Sequence, residues 1–215
     1  MKQIIKQKIN KGTKMKKQAG FTLIELVIVV VILGFLAVTA IPKFIDLTEQ
    51  AKQANVEGMA GGFATGVSLV RAQWESEGRP AANGINRINY DGIILFLTTP
   101  LPLNPTNIRP GYPTGLNADN ADGTGMTAID CIELWQSIFA QPPTLSASIG
   151  DFNDSNSNIN YSYFVSVANN QCQCFLKETL GRDVNGSYEV PADTNVGNNF
   201  TYNNANSAVV VTINN

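Results

Sequence analysis

Histidine does not occur anywhere in the 215 residues. Its absence removes the commonest general base and the commonest transition-metal ligand, so Ser-His-Asp triads and His-ligated zinc or iron centres are excluded. Cysteine is scarce, with three residues, and tryptophan scarcer, with two. No acid occurs in the first 20 positions, which hold seven lysines: Lys2, Lys6, Lys8, Lys11, Lys14, Lys16 and Lys17. Beyond them the balance reverses, because residues 21–215 carry 8 basic and 17 acidic side chains, a net charge of −9. A basic tail on an acidic body points either to nucleic acid or to orientation in a membrane. Hydrophobic content of 44% is ordinary for a folded chain, so wholesale disorder is excluded. The length fits one globular domain with an appendage, or two very small domains.

The segment after the tail decides between the two partners. Residues 21–41 read FTLIELVIVVVILGFLAVTAI, with Glu25 as the single charge. At the helical rise this run spans roughly 31 Å, about the thickness of a bilayer's hydrocarbon core. Lysines before it and acids after it orient the helix with its N-terminus in the cytoplasm, and no nucleic-acid partner is predicted. The run is too long for an ordinary secretory signal, and Pro42-Lys43 comes next with no Ala-x-Ala pattern. A carboxylate inside such a span costs about 2.5 to 3.5 kcal/mol on insertion scales and is functional by default. Residues 21–42 offer Glu25 no Lys or Arg. An α-amino group exposed by cleavage before Phe21 would supply the missing cation.

These residues resemble a known family. Lys16-Lys17-Gln18-Ala19-Gly20, then Phe21-Thr22-Leu23-Ile24-Glu25-Leu26, is similar to the processing site of type IV prepilins, and the combination is highly specific. The resemblance implies a dedicated prepilin peptidase that cuts after Gly20 and methylates Phe21. It implies that Glu25 pairs with the N-terminal amine of a neighbouring subunit, and that Gly34 and Pro42 bracket a stretch able to unwind on assembly. It also implies an inner-membrane assembly platform and identical or related pilin subunits as partners. Met15 would begin a short leader of the family's usual length, in place of Met1. Further along, Ile41-Pro42-Lys43-Phe44-Ile45-Asp46-Leu47, Gly62-Phe63-Ala64-Thr65-Gly66, Ala72-Gln73-Trp74 and Asn89-Tyr90-Asp91-Gly92 resemble pilins of the mannose-sensitive haemagglutinin group. So do Cys131, Leu134-Trp135 and Gln141-Pro142-Pro143. This likeness is strong over residues 16–76, fragmentary to position 145 and weak beyond.

Pro42 is expected to interrupt or kink the helix near positions 38–42, since it removes one backbone bond. Helical spacing then resumes: Val56, Met59, Phe63, Val67, Val70 and Trp74 form one apolar stripe. Phe44, Leu47, Ala51, Ala54, Gly58 and Gly61 form a second, mostly small line. The first suits a sheet and the second a neighbouring helix. Gly58, Gly61, Gly62 and Gly66 each cost the helix about 1 kcal/mol relative to Ala, which tight packing or bending must offset. Gly78 and Pro80 end the helix.

In the remainder, 92–98 reads as a strand and 127–140 as a helix with Cys131, Leu134, Trp135, Ile138 and Phe139 on one face. Residues 161–168, 171–178, 199–203 and 208–213 read as further strands. The expected class is therefore α+β, a type IV pilin fold in which a long N-terminal helix packs on an antiparallel sheet. The domain reading is a cleaved leader (1–20), a membrane or filament-core helix (21–41), an amphipathic half (42–78) and a globular head (79–215).

Cys131, Cys172 and Cys174 lie on the exported side, where a disulfide is favoured. Cys172 and Cys174 share one strand face, so either suits Cys131 by geometry, and the family resemblance favours Cys172. Closing a loop of 41 or 43 residues stabilises the head by about 4 kcal/mol in the chain-entropy model. Two acidic stretches are superficially like calcium loops. Asp151-x-Asn153-x-Ser155 lacks the required Gly and a closing acid, and in 117–123 Ala121 occupies a ligand place; both read as solvated turns. No phosphate-binding glycine loop or nucleophile elbow occurs, and no cofactor, metal or catalytic residue is assigned. The functional expectation is a non-enzymatic pilus subunit, held in the inner membrane before assembly and at the cell surface after it. The competing expectation is a type II secretion pseudopilin.

Overall fold

The computed structural model describes residues 20–100 and 108–214. The chain divides into two units, Met1–Asp46 and Leu47–Asn215. The expected leader lies almost wholly outside the described residues, with Gly20 alone inside them.

Helix α1 (Leu23–Ser76) contributes to both units. In the first unit it is apolar around its whole circumference, and every large apolar side chain is exposed, including Ile28, Leu33 and Phe35. Pro42 lies inside the helix. The expected interruption does not occur: one lost backbone bond is a small part of the ladder of a 54-residue helix. In the second unit Val56, Ala60, Phe63, Val67, Val70 and Trp74 are buried in sequence steps of three and four, so one stripe faces the core. The helix ends where Gly78 turns left-handed (φ 80°), a conformation glycine takes without strain. Arg79 N–H then bonds back to the Trp74 carbonyl at 2.9 Å, and Pro80 prevents continuation.

A four-stranded antiparallel sheet comes next: β1 (Ala81–Ala82), β2 (Ile85–Tyr90), β3 (Ile93–Leu97) and β4 (Pro113–Gly115), in that order. Of these, the sequence pattern predicts only β3. The signals for the others are Asn83-Gly84 and Asp91-Gly92, both with positive φ at each residue, the dipeptides that close two-residue hairpins.

Helix α2 (Ala128–Ile138) precedes β5 (Leu145–Ser146), α3 (Ile149–Asn153), β6 (Tyr163–Ala168), β7 (Gln171–Leu176), β8 (Asn199–Asn203) and β9 (Ala208–Thr212). These strands form a second sheet in the order β5-β6-β7-β8-β9, antiparallel except for the parallel β5–β6 pair. Asn169 and Asn170, both at positive φ, close the β6–β7 hairpin and set its register, Val167 opposite Cys172. The architecture is α+β, a long apolar-to-amphipathic helix followed by sheet, as the family resemblance implied. It differs in having two sheets where one was expected.

The core forms where the α1 stripe meets α2 and the second sheet. Phe63 lies 6.0 Å from Trp135, 5.8 Å from Phe200 and 5.1 Å from Tyr202, between ring centroids. Trp135 in turn stands edge-on to Tyr163 and Phe200. Gly66 explains the closeness of α2: a Cβ there would come within 1.9 Å of Ile138 Cγ2. Gly58 and Gly61 face open space, so only part of the glycine run is accounted for by packing in this chain.

Candidate functional site

The N-terminal segment begins at Gly20 and Phe21, both exposed; Phe21 is 88% exposed. Thr22 stands immediately before α1 and Glu25 is the helix's third residue. Their side chains bond reciprocally. Glu25 N–H donates to Thr22 Oγ1 at 3.3 Å, while Thr22 N–H and its hydroxyl donate to Glu25 Oε2 at 2.9 and 2.7 Å. This is a capping box, T-x-x-E, which satisfies amide groups that a helix start leaves unpaired. The carboxylate also sits at the positive end of the helix dipole. Glu25 is conspicuous in the sequence as a membrane charge, and the T-x-x-E signature beside it is the signal that would have found Thr22. All three bonds leave Glu25 Oε1 without a hydrogen bond among the described residues.

Gly34 and Pro42 both lie in helical backbone, and nothing stands within 4 Å of where a Gly34 Cβ would be. Among the described residues, α1 is the one helix long and apolar enough to cross a membrane. Its first 24 residues, 23–46, expose large apolar side chains all along the helix.

In the second unit, Cys131 and Cys172 form a disulfide with Cα atoms 5.8 Å apart, joining α2 to the central strand β7. Cys174 is a free buried thiol, and burial pushes its pKa well above the ordinary range. A buried, protonated thiol is a poor nucleophile. Of the two partners open to Cys131, the structure uses the one the resemblance favoured.

The acidic stretches do not converge. Asp122 accepts from the Thr124 amide and hydroxyl. Asp151 accepts from the Ser146 hydroxyl, and the Asn153 amide is held by the Tyr188 main chain. Asp151 and Asn153 belong to α3, so the expected solvated turn is a short helix here. Among the described residues no group of three or more His, Cys, Asp or Glu side chains converges. A cleft of about 520 Å³ lies in the second unit beside Lys52, Asn55, Tyr161, Lys177 and Tyr188. Its lysines are engaged, Lys52 with Glu49 and Lys177 with Asn160, each at 2.8 Å.

Residues 15–41 match the family described as the prokaryotic N-terminal methylation motif. The chain is similar to the type IV narrow pilus major component PilA5 of Thermus thermophilus, 50% identical over 54 residues, 25% of this chain and 47% of that protein. It is similar to the type IV major fimbrial protein FimA of Dichelobacter nodosus, 32% identical over 111 residues, 50% of this chain and 68% of that protein. It also resembles the type II secretion system core protein G of Vibrio cholerae, 30% identical over 98 residues, 46% of this chain and 61% of that protein. The chain thus spans 47% of the length of PilA5 but 68% of FimA. No solved structure matches the chain.

Proposed function

Because the chain belongs to the type IV pilin family, we propose that it is a structural subunit that polymerises into a surface filament of the mannose-sensitive haemagglutinin type, used for adhesion. In this reading a prepilin peptidase cuts after Gly20 and the new N-terminal Phe21 is methylated. The subunit waits in the inner membrane, N-terminus on the cytoplasmic side, until an assembly platform adds it to the filament. The apolar surface of residues 23–46 supplies adhesion between subunits without direction. Glu25 supplies direction. One of its oxygens holds the helix cap and the other is free to receive the Phe21 amine of an adjacent subunit, which removes two uncompensated charges from an apolar core. That division of the carboxylate between two tasks is the observation that carries the proposal.

Two substitutions separate the tasks. Glu25→Gln keeps a side chain that can close the capping box but has no charge, whereas Glu25→Val loses both. Both variants are expected to be processed and inserted, since removing a charge eases insertion. Both are expected to be depleted in sheared surface filaments relative to total membrane protein. Normal incorporation of Glu25→Gln would refute the charge-pair role and leave the cap as the whole explanation. Mass spectrometry of filaments should show loss of residues 1–20 and about 14 Da for one methyl group; an intact lysine-rich N-terminus would overturn the processing step.

The likeness to core protein G favours one second reading, a periplasmic pseudopilus of a type II secretion system. Electron microscopy of cells lacking this chain separates the two: loss of surface filaments supports the pilus, and loss of protein secretion with filaments intact supports the pseudopilus.

A further inference from the structure

Asparagine followed by glycine occurs twice in the chain, at Asn83-Gly84 and at Asn185-Gly186. All four residues are exposed. This dipeptide is the one most open to a reaction of the chain with itself. With no Cβ on the glycine, its main-chain nitrogen can approach the side-chain carbonyl carbon of the asparagine before it. The fold treats the two pairs differently.

Asn185-Gly186 is tied down. The Gly186 N–H donates to the Asp183 carbonyl at 3.0 Å, and the Gly186 carbonyl accepts from the Arg182 guanidinium at 3.1 Å. The Asn185 main-chain N–H donates to Asp183 Oδ1 at 2.8 Å, and its side-chain amide to Oδ2 at 3.4 Å. To attack, the Gly186 nitrogen must give up its hydrogen bond. Its proton must also leave beside the Asp183 carboxylate, whose charge opposes a second negative centre.

Asn83-Gly84 has none of these restraints. It forms the two-residue turn between β1 and β2, with φ of 53° and 79°. Among the described residues, neither the Gly84 N–H nor the Asn83 side chain makes a hydrogen bond. Nothing stands within 4 Å of where a Gly84 Cβ would be. The backbone rotation that brings nitrogen to side chain is resisted by β1, an edge strand paired at Ala81–Asn86 and Ala82–Ile85 alone. So short an edge opens at little cost.

We propose that Asn83 is a site of self-modification, where Gly84 closes on the Asn83 side chain and the amide is replaced by a carboxylate. Hydroxide takes the Gly84 N–H proton, and the nitrogen forms a bond to Asn83 Cγ. The bond from Cγ to Nδ2 breaks, and that nitrogen takes a proton from water and leaves as ammonia. The product is a five-membered cyclic imide. Water then opens the ring at either carbonyl, giving aspartate or, with the main chain rerouted through the side chain, isoaspartate. The sum is amide plus water to carboxylate plus ammonium. Each conversion adds one negative charge to the −9 of residues 21–215. The isoaspartate form also inserts a carbon into a main chain turn built for two residues, which loosens β1 from β2.

The test incubates the full chain, folded in detergent, at mildly alkaline pH in heavy-oxygen water, with peptides followed over time by mass spectrometry. Asn83 should become a mixture of isoaspartate and aspartate carrying the heavy oxygen, at a rate that rises with hydroxide. Asn185 should convert about tenfold more slowly or less, the effect of one hydrogen bond and one adjacent charge. Denaturant removes both restraints and should bring the two rates together. Equal rates in the folded chain, an Asn83 that stays an amide, or a difference that persists in denaturant would overturn the proposal.

Discussion

The two halves of α1 have similar local credentials and opposite surroundings. Residues 23–46 are helical with every large apolar side chain exposed, while residues 47–76 bury one stripe and leave the rest to solvent. Helix formation and burial are therefore separate properties in this chain. The first half is apolar in all directions, so its sequence specifies an apolar environment but no particular neighbour. In the second half, polar residues such as Gln53, Glu57 and Ser68 break the circumference and leave one direction in which burial is favourable. A subunit built this way carries its own folded head and a helix whose partner must come from elsewhere.

The strongest test of that contrast exchanges the same residue type on either side of it. Phe63 is 2% exposed and touches four aromatic rings, whereas Phe35 is 72% exposed. Phe63→Ala is expected to destabilise the head by about 3 to 5 kcal/mol. Phe35→Ala should leave head stability unchanged. Denaturant unfolding followed by tryptophan fluorescence reads the head specifically, since Trp74 and Trp135 both lie in its core. Equal effects of the two substitutions would show that the halves are energetically coupled.

Nearly as large an effect is expected from the Cys131–Cys172 bridge, which closes a 41-residue loop inside the second unit. Removing it with Cys131→Ser should cost the head about 4 kcal/mol, with the helix of residues 23–46 unaffected by circular dichroism in detergent. Thiol counting checks the pairing independently. Under denaturation without reductant, wild type should label once, at Cys174, and after reduction three times. Three labels without reduction would remove the bridge.

Much of the fold is legible in the residues themselves, and the omissions have physical causes. The α1 stripe, α2, β8 and the β6–β7 hairpin stand out because each carries a strong period or a turn dipeptide within a few residues. The β1–β2 and β2–β3 turns are marked by Asn83-Gly84 and Asp91-Gly92, but the Pro- and Asn-rich context obscures them. β1 and β5 are two residues each, too short for any period. At the N-terminus the processing motif and Glu25 are plain, yet Thr22 as the cap partner is not, because a membrane charge draws attention to distant partners before local ones. Thr127 and Asp130 repeat the same box at α2, where Asn120 also donates to the acid at 2.7 Å. The stacking of the Arg71 guanidinium over the Tyr112 ring is beyond sequence reasoning altogether, since the two meet only through the fold.

The smallest expected effect separates the halves through glycine. At Gly66 a methyl group would strike Ile138, so Gly66→Ala should destabilise the head by about 1 to 3 kcal/mol through overpacking. At Gly34 the same methyl group meets nothing within 4 Å, and only helix propensity is left. Gly34→Ala should therefore stabilise the isolated helix by up to about 1 kcal/mol, measured as retained helicity on heating in detergent. That gain works against any assembly step that unwinds the backbone between Gly34 and Pro42. If filament formation uses such unwinding, Gly34→Ala subunits should enter filaments less readily than wild type when both are expressed together, despite their more stable helix. Equal incorporation would mean that this stretch keeps its helical form in the filament, and that Pro42 shapes the helix without helping to open it.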